Sequence, residues 1–181
     1  MRDFEAEVWT VCDRFVELRS RWLTVIGEHL ETPTGEQLEY WRVEKADSVV
    51  ILPIQAHQLI LPPPSYRPGV GQATLDFPGG RVPTRSSALE RVPAILQQEL
   101  GVPAAAIAQL VPLSQEGWLV NSSFSNQKLY GVVAHLQSDT EVPAANCWAR
   151  YPTTPSGIQQ LLPHLSCLQC RAVLLEWWLR Q

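Results

Sequence analysis

The segment from Phe77 to Gly101 constrains the fold more than any other part of the chain. The turn Pro78-Gly79-Gly80 follows a short apolar stretch, and a helix with defined ends comes after it. Ser87-Ala88-Leu89-Glu90 has the form of a capping box, so we predict that the helix begins there. Gly101 suits the left-handed conformation that ends a helix, while Pro93 either kinks this helix or starts its regular part. A strand, a sharp turn and a helix in this order indicate a mixed α/β domain.

The other apolar patterns predict elements on both sides of this segment. We predict a helix over residues 2–18, because Phe4, Val8, Val11, Phe15 and Leu18 recur at spacings of three and four. We predict strands at 22–30, 39–43, 48–54, 58–61, 73–77, 107–115 and 128–136, a loop at 66–69, helices at 156–162 and 165–180, and an irregular proline-rich stretch at 143–155.

No repeat or composition break marks a second domain, so we expect a single domain over residues 1–181. Within it we expect an N-terminal helix and strands at 1–45, a core at 46–137, and a C-terminal loop and helices at 138–181.

Composition excludes several classes of protein. The chain is 45% hydrophobic and 18% charged, which is too apolar for a disordered chain. Its formal net charge of −4 argues against binding nucleic acid by bulk charge. Apolar runs end within about ten residues, whereas a membrane-spanning helix needs ~20, so we expect no membrane insertion. Acidic residues near the N terminus, such as Asp3 and Glu5, are unlike a targeting peptide, so we expect a cytoplasmic protein.

The four cysteines include one closely spaced pair. Cys167 and Cys170 form a C-x-x-C inside the helix predicted at 165–180, while Cys12 and Cys147 stand alone. No second pair or histidine lies at zinc-ligand spacing. We therefore expect buried, reduced thiols, with a redox or metal role for the pair as the alternative.

The segment Tyr66–Val82 reads YRPGVGQATLDFPGGRV. It resembles the segment that leads into a Nudix box, and its residues are similar to those of the ADP-ribose pyrophosphatase-like branch of the Nudix hydrolase superfamily. The resemblance extends from about Trp22 to Leu179. It implies a Nudix-type α/β/α sandwich with a mixed central sheet. Because the strands at 22–43 resemble those through which that branch pairs, it also implies a homodimer.

The Nudix box is degenerate in this chain. The signature has Gly, five residues, Glu, seven residues, then Arg-Glu-U-x-Glu-Glu-x-Gly-U, where U is a bulky aliphatic residue. The positions that match it are Gly80, Leu96, Glu99, Gly101 and Val102. Four positions differ from it. Ser86 replaces the first Glu, Ala94 replaces Arg, and Ile95 and Gln98 replace the next two Glu residues. Family members hold divalent cations mainly with carboxylates of this helix, so the resemblance implies lost or severely reduced hydrolysis.

The resemblance also places ligand-binding residues. Arg67 lies where a guanidinium fork binds a pyrophosphate, although Pro64 replaces a second arginine of the family. Asp76 stands at the end of a strand where the family often has an acid. Gly79 and Gly80 can let the backbone approach a ligand or metal closely, and they also suit a simple tight turn.

Residual activity would need other acids. The catalytic candidates are Glu99 and, in the late loop, Glu141, with Mg²⁺ held by Glu99 and Gly79. Glu90 lies about half a helical revolution away from Glu99, so we expect it to point elsewhere.

Three functions follow from these patterns. The first is a Nudix-fold pseudoenzyme that binds a nucleotide-type ligand such as ADP-ribose, or a partner protein, without hydrolysis. The second is an active, Mg²⁺-dependent hydrolase of a nucleoside diphosphate linked to another group. The third is a structural subunit of a larger assembly.

Overall fold

A computed structural model describes residues 8–181, which form two compact units. We call residues 8–46 with 119–127 the N-terminal sheet unit, and residues 47–118 with 128–181 the sandwich unit. The prediction of a single domain over the whole chain stays a prediction. None of the helices within residues 8–181 has the length and apolarity needed to span a bilayer.

The N-terminal sheet unit contains three antiparallel strands in the order β1 (Thr10–Arg19), β2 (Leu23–Glu31) and β3 (Gln37–Lys45). The predicted N-terminal helix is therefore wrong from Thr10 onward, and residues 1–7, with Phe4, lie outside the described residues. Strand β1 carries irregularities between Val11 and Asp13 and between Arg14 and Val16. Val11 pairs with Leu30 and Leu18 pairs with Val25, which point to opposite faces of β2, so the apolar residues of β1 are divided between both faces of the strand and their helix-like spacing marks no single buried face.

A buried carboxylate joins the three strands. Glu28 in β2 is 2% exposed, and its Oε1 accepts bonds from Arg14 Nη2 at 2.8 Å and Arg42 Nη2 at 3.1 Å. Arg42 Nε also donates to Oε2 at 2.9 Å. These hydrogen bonds, that of Arg42 above all, lower the pKa of Glu28. The two guanidinium groups thus compensate the desolvation of the carboxylate.

The segment 119–127 belongs to the same unit through hydrogen bonds to β3. The backbone N–H of Val43 donates to the carbonyl of Phe124 at 2.8 Å, and the backbone N–H of Lys45 donates to Asn126 Oδ1 at 3.0 Å. This unit is therefore built from two separate stretches of the chain.

The sandwich unit contains most of the remaining elements. Its strands are β4 (Asp47–Gln55), β5 (Gln58–Leu61), β6 (Ser65–Arg67), β7 (Gln72–Thr74), β8 (Gly79–Val82), β9 (Ile107–Pro112), β11 (Lys128–Leu136) and β12 (Ala149–Pro152), with β10 (Trp118–Leu119) at the boundary between the units. Its helices are α1 (Ala88–Leu100), α2 (Pro155–Leu161) and α3 (Leu168–Trp178).

The sheet of this unit is mixed and centred on β4. Strand β11 pairs with β4 in parallel, while β8 and β5 pair antiparallel with the two ends of β4. Strand β9 extends the sheet beside β11, and β12 extends it beside β5. Strands β6 and β7 form a separate hairpin.

Helices cover both faces of the sheet. Alternate residues of β4 face opposite sides. Val49 and Ile51 pack in a cluster with residues of α1, whereas Val50 and Leu52 pack in a cluster with residues of α2 and α3. The predicted α/β/α sandwich with a mixed central sheet is confirmed.

Several local predictions for this unit are wrong. Gly79 and Gly80 lie in β8, with only a bend at Pro78, because glycine permits close pairing with β4. The stretch 143–155 includes β12, and the predicted loop at 66–69 begins inside β6. Helix α3 begins at Leu168, so Cys167 precedes it.

Candidate functional site

Capping residues at its two ends determine where helix α1 begins and ends. Ser87 Oγ accepts the N–H of Glu90 at 3.2 Å, and Glu90 Oε2 accepts the N–H of Ser87 at 3.0 Å, which confirms the capping box. Gly101 ends the helix with φ of 69°, as predicted. The carboxylate of Glu90 is thus used at the helix start, and Glu99 lies in the last turn.

Ile95 occupies a position where the signature has a metal-binding Glu. It is 5% exposed and belongs to the cluster between α1 and the sheet. A Cβ added to Gly80 would come within 3.1 Å of Ile95 Cδ1, so the Ile95 side chain packs directly against the backbone of Gly80. This helix position therefore faces the core of the sandwich unit.

A cleft of about 270 Å³ brings together three of the predicted site residues, Arg67, Asp76 and Glu99. Its lining residues are Pro62, Pro63, Ser65, Arg67, Asp76, Phe77, Gln98 and Glu99. Arg67 donates to Asp76 Oδ2 from Nε at 2.9 Å and from Nη2 at 2.8 Å. The side chain of Arg67 is 51% exposed and that of Asp76 only 12%, so the guanidinium borders the open side of the cleft.

Glu99 is a half-buried carboxylate in this cleft. Its Oε1 lies 3.5 Å from the backbone nitrogen of Gly79, which donates to it. Burial raises the pKa of Glu99, while the Gly79 N–H and the charge of Arg67 oppose this shift. The negative charge of Asp76 raises the pKa further.

Gly79 has a steric reason to be glycine that is independent of any ligand. A Cβ at this position would lie 2.7 Å from the carbonyl oxygen of Val49, closer than real contacts allow. Its proposed roles in binding a ligand or a metal stay predictions, and so does the ligand role of Gly80.

Glu141 lies in an exposed loop and is not among the residues that line the cleft. Its catalytic role stays a prediction.

The residues of the cleft do not fit the cluster of divalent cations that the resemblance implies. Within residues 8–181, the carboxylates lining it are those of Asp76 and Glu99, and Arg67 already occupies one oxygen of Asp76. Gln98 is neutral and Ile95 is in the core. Mg²⁺ is held by oxygen ligands whose charge offsets its own, and this set offers few of them.

A group of three side chains beside the cleft was missed in the sequence. The ligand atoms of Asp76, Cys167 and Cys170 lie within 4.8 Å of one another. The C-x-x-C pattern was the available signal. The predicted helix included both cysteines, whereas Cys167 is partly exposed and immediately precedes the helix. Among the four thiols only Cys170 is buried and Cys12 is exposed, so the expectation of buried thiols is wrong for the other three.

The two thiols of the pair differ in acidity. A hydrogen bond from the Cys170 thiol lowers the pKa of Cys167 to about 6, with help from backbone N–H groups at the start of α3. The same bond and burial raise the pKa of Cys170.

Comparison with known proteins identifies the fold. No protein-family model matches the chain, and no curated protein sequence matches it. Among solved structures, the crystal structure of an ADP compounds hydrolase of the Nudix family matches with a TM-score of 0.73 at 24% identity. The match covers 95% of this chain and 94% of that one. The chain therefore has a Nudix-like fold.

Proposed function

We propose that this protein binds a nucleotide-type ligand of the ADP-ribose class in the cleft and hydrolyses it poorly or not at all. The observation that carries the proposal is the burial of Ile95 in the core at a position where a catalytic member needs a carboxylate. The ligand class is supported by the fold shared with a hydrolase of ADP compounds.

Arg67 supports binding of the diphosphate part of such a ligand. A guanidinium presents parallel donors that match phosphate oxygens, and half of this side chain is open to solvent. The cleft of about 270 Å³ is slightly smaller than the ~300–1,000 Å³ of typical small-molecule sites. In the proposed complex the cleft holds the diphosphate, and the rest of the ligand extends outside it.

The direct test measures binding and turnover together. We expect calorimetry to detect ADP-ribose binding without metal, while little or no AMP forms with Mg²⁺ or Mn²⁺. Arg67→Gln should weaken binding about tenfold or more, because it removes a charge-assisted contact. Arg85→Gln, an exposed arginine outside the cleft, is the matched control. Absence of binding, or equal effects of the two variants, would contradict the proposal.

A slow hydrolase is the second candidate, and the position of Glu99 in the cleft favours it. AMP formation that requires metal and disappears in Glu99→Gln would replace the first proposal with this one. Retention of the same slow rate in Glu99→Gln would instead indicate a contaminating enzyme.

We also propose that the protein forms a homodimer through one face of the N-terminal sheet unit. Phe15 and Trp41 cover Gly27 on this face, with ring centroids 5.4 Å apart, yet they remain 39% and 42% exposed. Exposed aromatic residues on a sheet face are typical of an interface.

Light scattering in solution tests this interface. We expect twice the chain mass of 20.3 kDa, and a shift toward the monomer for Trp41→Glu. Trp148→Glu, at an exposed tryptophan of the sandwich unit, is the control. A monomeric native protein would contradict the homodimer and favour a different protein as the partner of this face.

A further inference from the structure

We propose that Asp76, Cys167 and Cys170 form a binding site for a thiophilic divalent cation, with Zn²⁺ as the best fit. Their ligand atoms lie within 4.8 Å of one another. The three residues come from two parts of the chain, with Asp76 and Cys170 separated by 94 positions. The site is independent of the proposed nucleotide binding, although Asp76 also lines that cleft.

The start of α3 presents both sulfur atoms to one point. The carbonyl of Cys167 accepts the N–H of Arg171 at 3.1 Å, so Cys167 caps the helix and Cys170 lies in its first turn. Thiolates at a helix start are stabilised by the free N–H groups of the first turn. C-x-x-C is also the spacing with which two cysteines commonly hold one zinc ion.

Asp76 is oriented so that one oxygen faces the sulfur atoms. Its Oδ2 accepts bonds from Thr74 Oγ1 at 2.8 Å and from Arg67 Nη2 at 2.8 Å. Its Oδ1 lies 3.9 Å from Cys170 Sγ. Metal-binding carboxylates are held in this way by hydrogen bonds to the oxygen that does not face the ion.

All three side chains of the group are acidic. The thiol of Cys170 has a single hydrogen, but both Cys167 Sγ and Asp76 Oδ1 are potential acceptors for it. With both thiols ionised, the three side chains carry a formal charge of −3, and Arg67 supplies +1. A divalent cation would bring the total to zero and contact all three acceptors, which removes the cost of burying unpaired charge.

The ligand set selects the kind of ion. Two sulfur atoms favour Zn²⁺ or similar soft cations, whereas Mg²⁺ requires oxygen ligands. Tetrahedral zinc with Zn–S of about 2.3 Å and Zn–O of about 2.0 Å separates sulfur and oxygen ligands by about 3.5 Å. The observed 3.9 Å between Cys170 Sγ and Asp76 Oδ1 needs little adjustment. Three protein ligands leave the fourth position for water or a ligand oxygen.

A disulfide between Cys167 and Cys170 is the competing use of the pair. It would form with a peroxide or a small disulfide as oxidant, which accepts the two electrons and both thiol protons. A disulfide does not require Asp76, so the carboxylate distinguishes the two uses.

The test is metal binding by the reduced full-length protein after removal of metal. We expect one Zn²⁺ per chain in competition with a chromophoric chelator, unaffected by excess Mg²⁺. With Co²⁺ as probe we expect a thiolate-to-cobalt charge-transfer band. Cys167→Ser should lower the Zn²⁺ affinity about 100-fold or more, and Asp76→Asn about tenfold or more. Cys12→Ser and Cys147→Ser are the controls, since neither thiol belongs to the group.

Three outcomes would overturn the proposal. They are no stoichiometric Zn²⁺ binding, an affinity that is unchanged in Asp76→Asn, and an equal loss in the control variants. A protein that binds no Zn²⁺ when reduced but readily loses two hydrogen atoms on mild oxidation would assign the pair to disulfide chemistry. Cys170 is buried, so a Cys170→Ser variant is informative only if circular dichroism shows that it folds; Cys167→Ser and Asp76→Asn carry the test without it.

Discussion

Replacing Ile95 by Glu should destabilise the protein strongly instead of restoring a metal ligand. The side chain is 5% exposed and packs between α1 and the sheet. Burial of an isoleucine side chain contributes ~1.5–3 kcal/mol, and this contribution is lost. The new carboxylate must in addition be buried or held in its protonated form.

Together these effects predict a loss of roughly 3–5 kcal/mol in the free energy of unfolding at pH 7. Ala94→Glu adds the same charge at the exposed neighbouring position and should change it by less than ~0.5 kcal/mol. Ile95→Val should cost ~0.5–1.5 kcal/mol, which calibrates the packing alone.

Urea denaturation followed by fluorescence measures the three variants. Burial should raise the pKa of the new Glu above its unfolded value, so its penalty should be largest above the folded pKa and smaller at acidic pH. If Ile95→Glu cost no more than Ala94→Glu, residue 95 would face solvent or the cleft. That result would contradict the proposal that hydrolysis is impaired because residue 95 lies in the core.

Three further predictions concern other parts of the molecule. Gly79→Ala should cost ~1–3 kcal/mol in thermal denaturation, because its Cβ would lie 2.7 Å from a strand carbonyl, whereas Gly69→Ala enters open space and should be near neutral. Because arginine partners lower the pKa of Glu28, its stabilising contribution is present above the unfolded value of 4.5 and lost as pH falls through the folded value. The stability gap between the native protein and Glu28→Gln should therefore shrink in acid titrations; a constant gap would contradict this. In metal-free protein the rate of Cys167 alkylation, measured by peptide mass mapping, should reach half of its maximum at about pH 6, the pKa of this thiol. A midpoint near the ordinary pKa of 9 would contradict the hydrogen bond from Cys170.

Elements with strong local signals were predictable from the sequence. The ends of α1 depend on Ser87, Glu90 and Gly101, which act on backbone groups within one turn. Strands β4 and β11 are long apolar runs because both faces of the sheet are covered. In these cases the residues that determine the element lie inside it.

The errors have a different physical origin. Segment 10–19 is a strand because it pairs with β2, and its apolar residues lie on both faces, so their helix-like spacing was misleading. Strand β12 contains Pro152. It tolerates this proline because β12 comes last in the strand order of the sheet, next to β5, and an edge strand needs fewer backbone N–H donors. Both β1 and β12 are determined by the strands with which they pair, and these strands lie outside the stretch of sequence from which each element was predicted.

The candidate site was only partly accessible from the sequence. Arg67, Asp76 and Glu99 were singled out by the resemblance, and the structure brings them to one cleft. The proximity of Asp76 to Cys167 depends on how α3 packs on the sandwich, which no spacing in the sequence encodes.

The discontinuous N-terminal sheet unit limits how this protein can be shortened. Deleting residues 8–46 would leave the segment 119–127, about seventy positions later, without the backbone donors of Val43 and Lys45. A loop that has lost the hydrogen-bond donors for its carbonyl groups is prone to aggregation or proteolysis. Related proteins that lack the first stretch should therefore lack the second as well, and two distant gaps would appear together in their alignment.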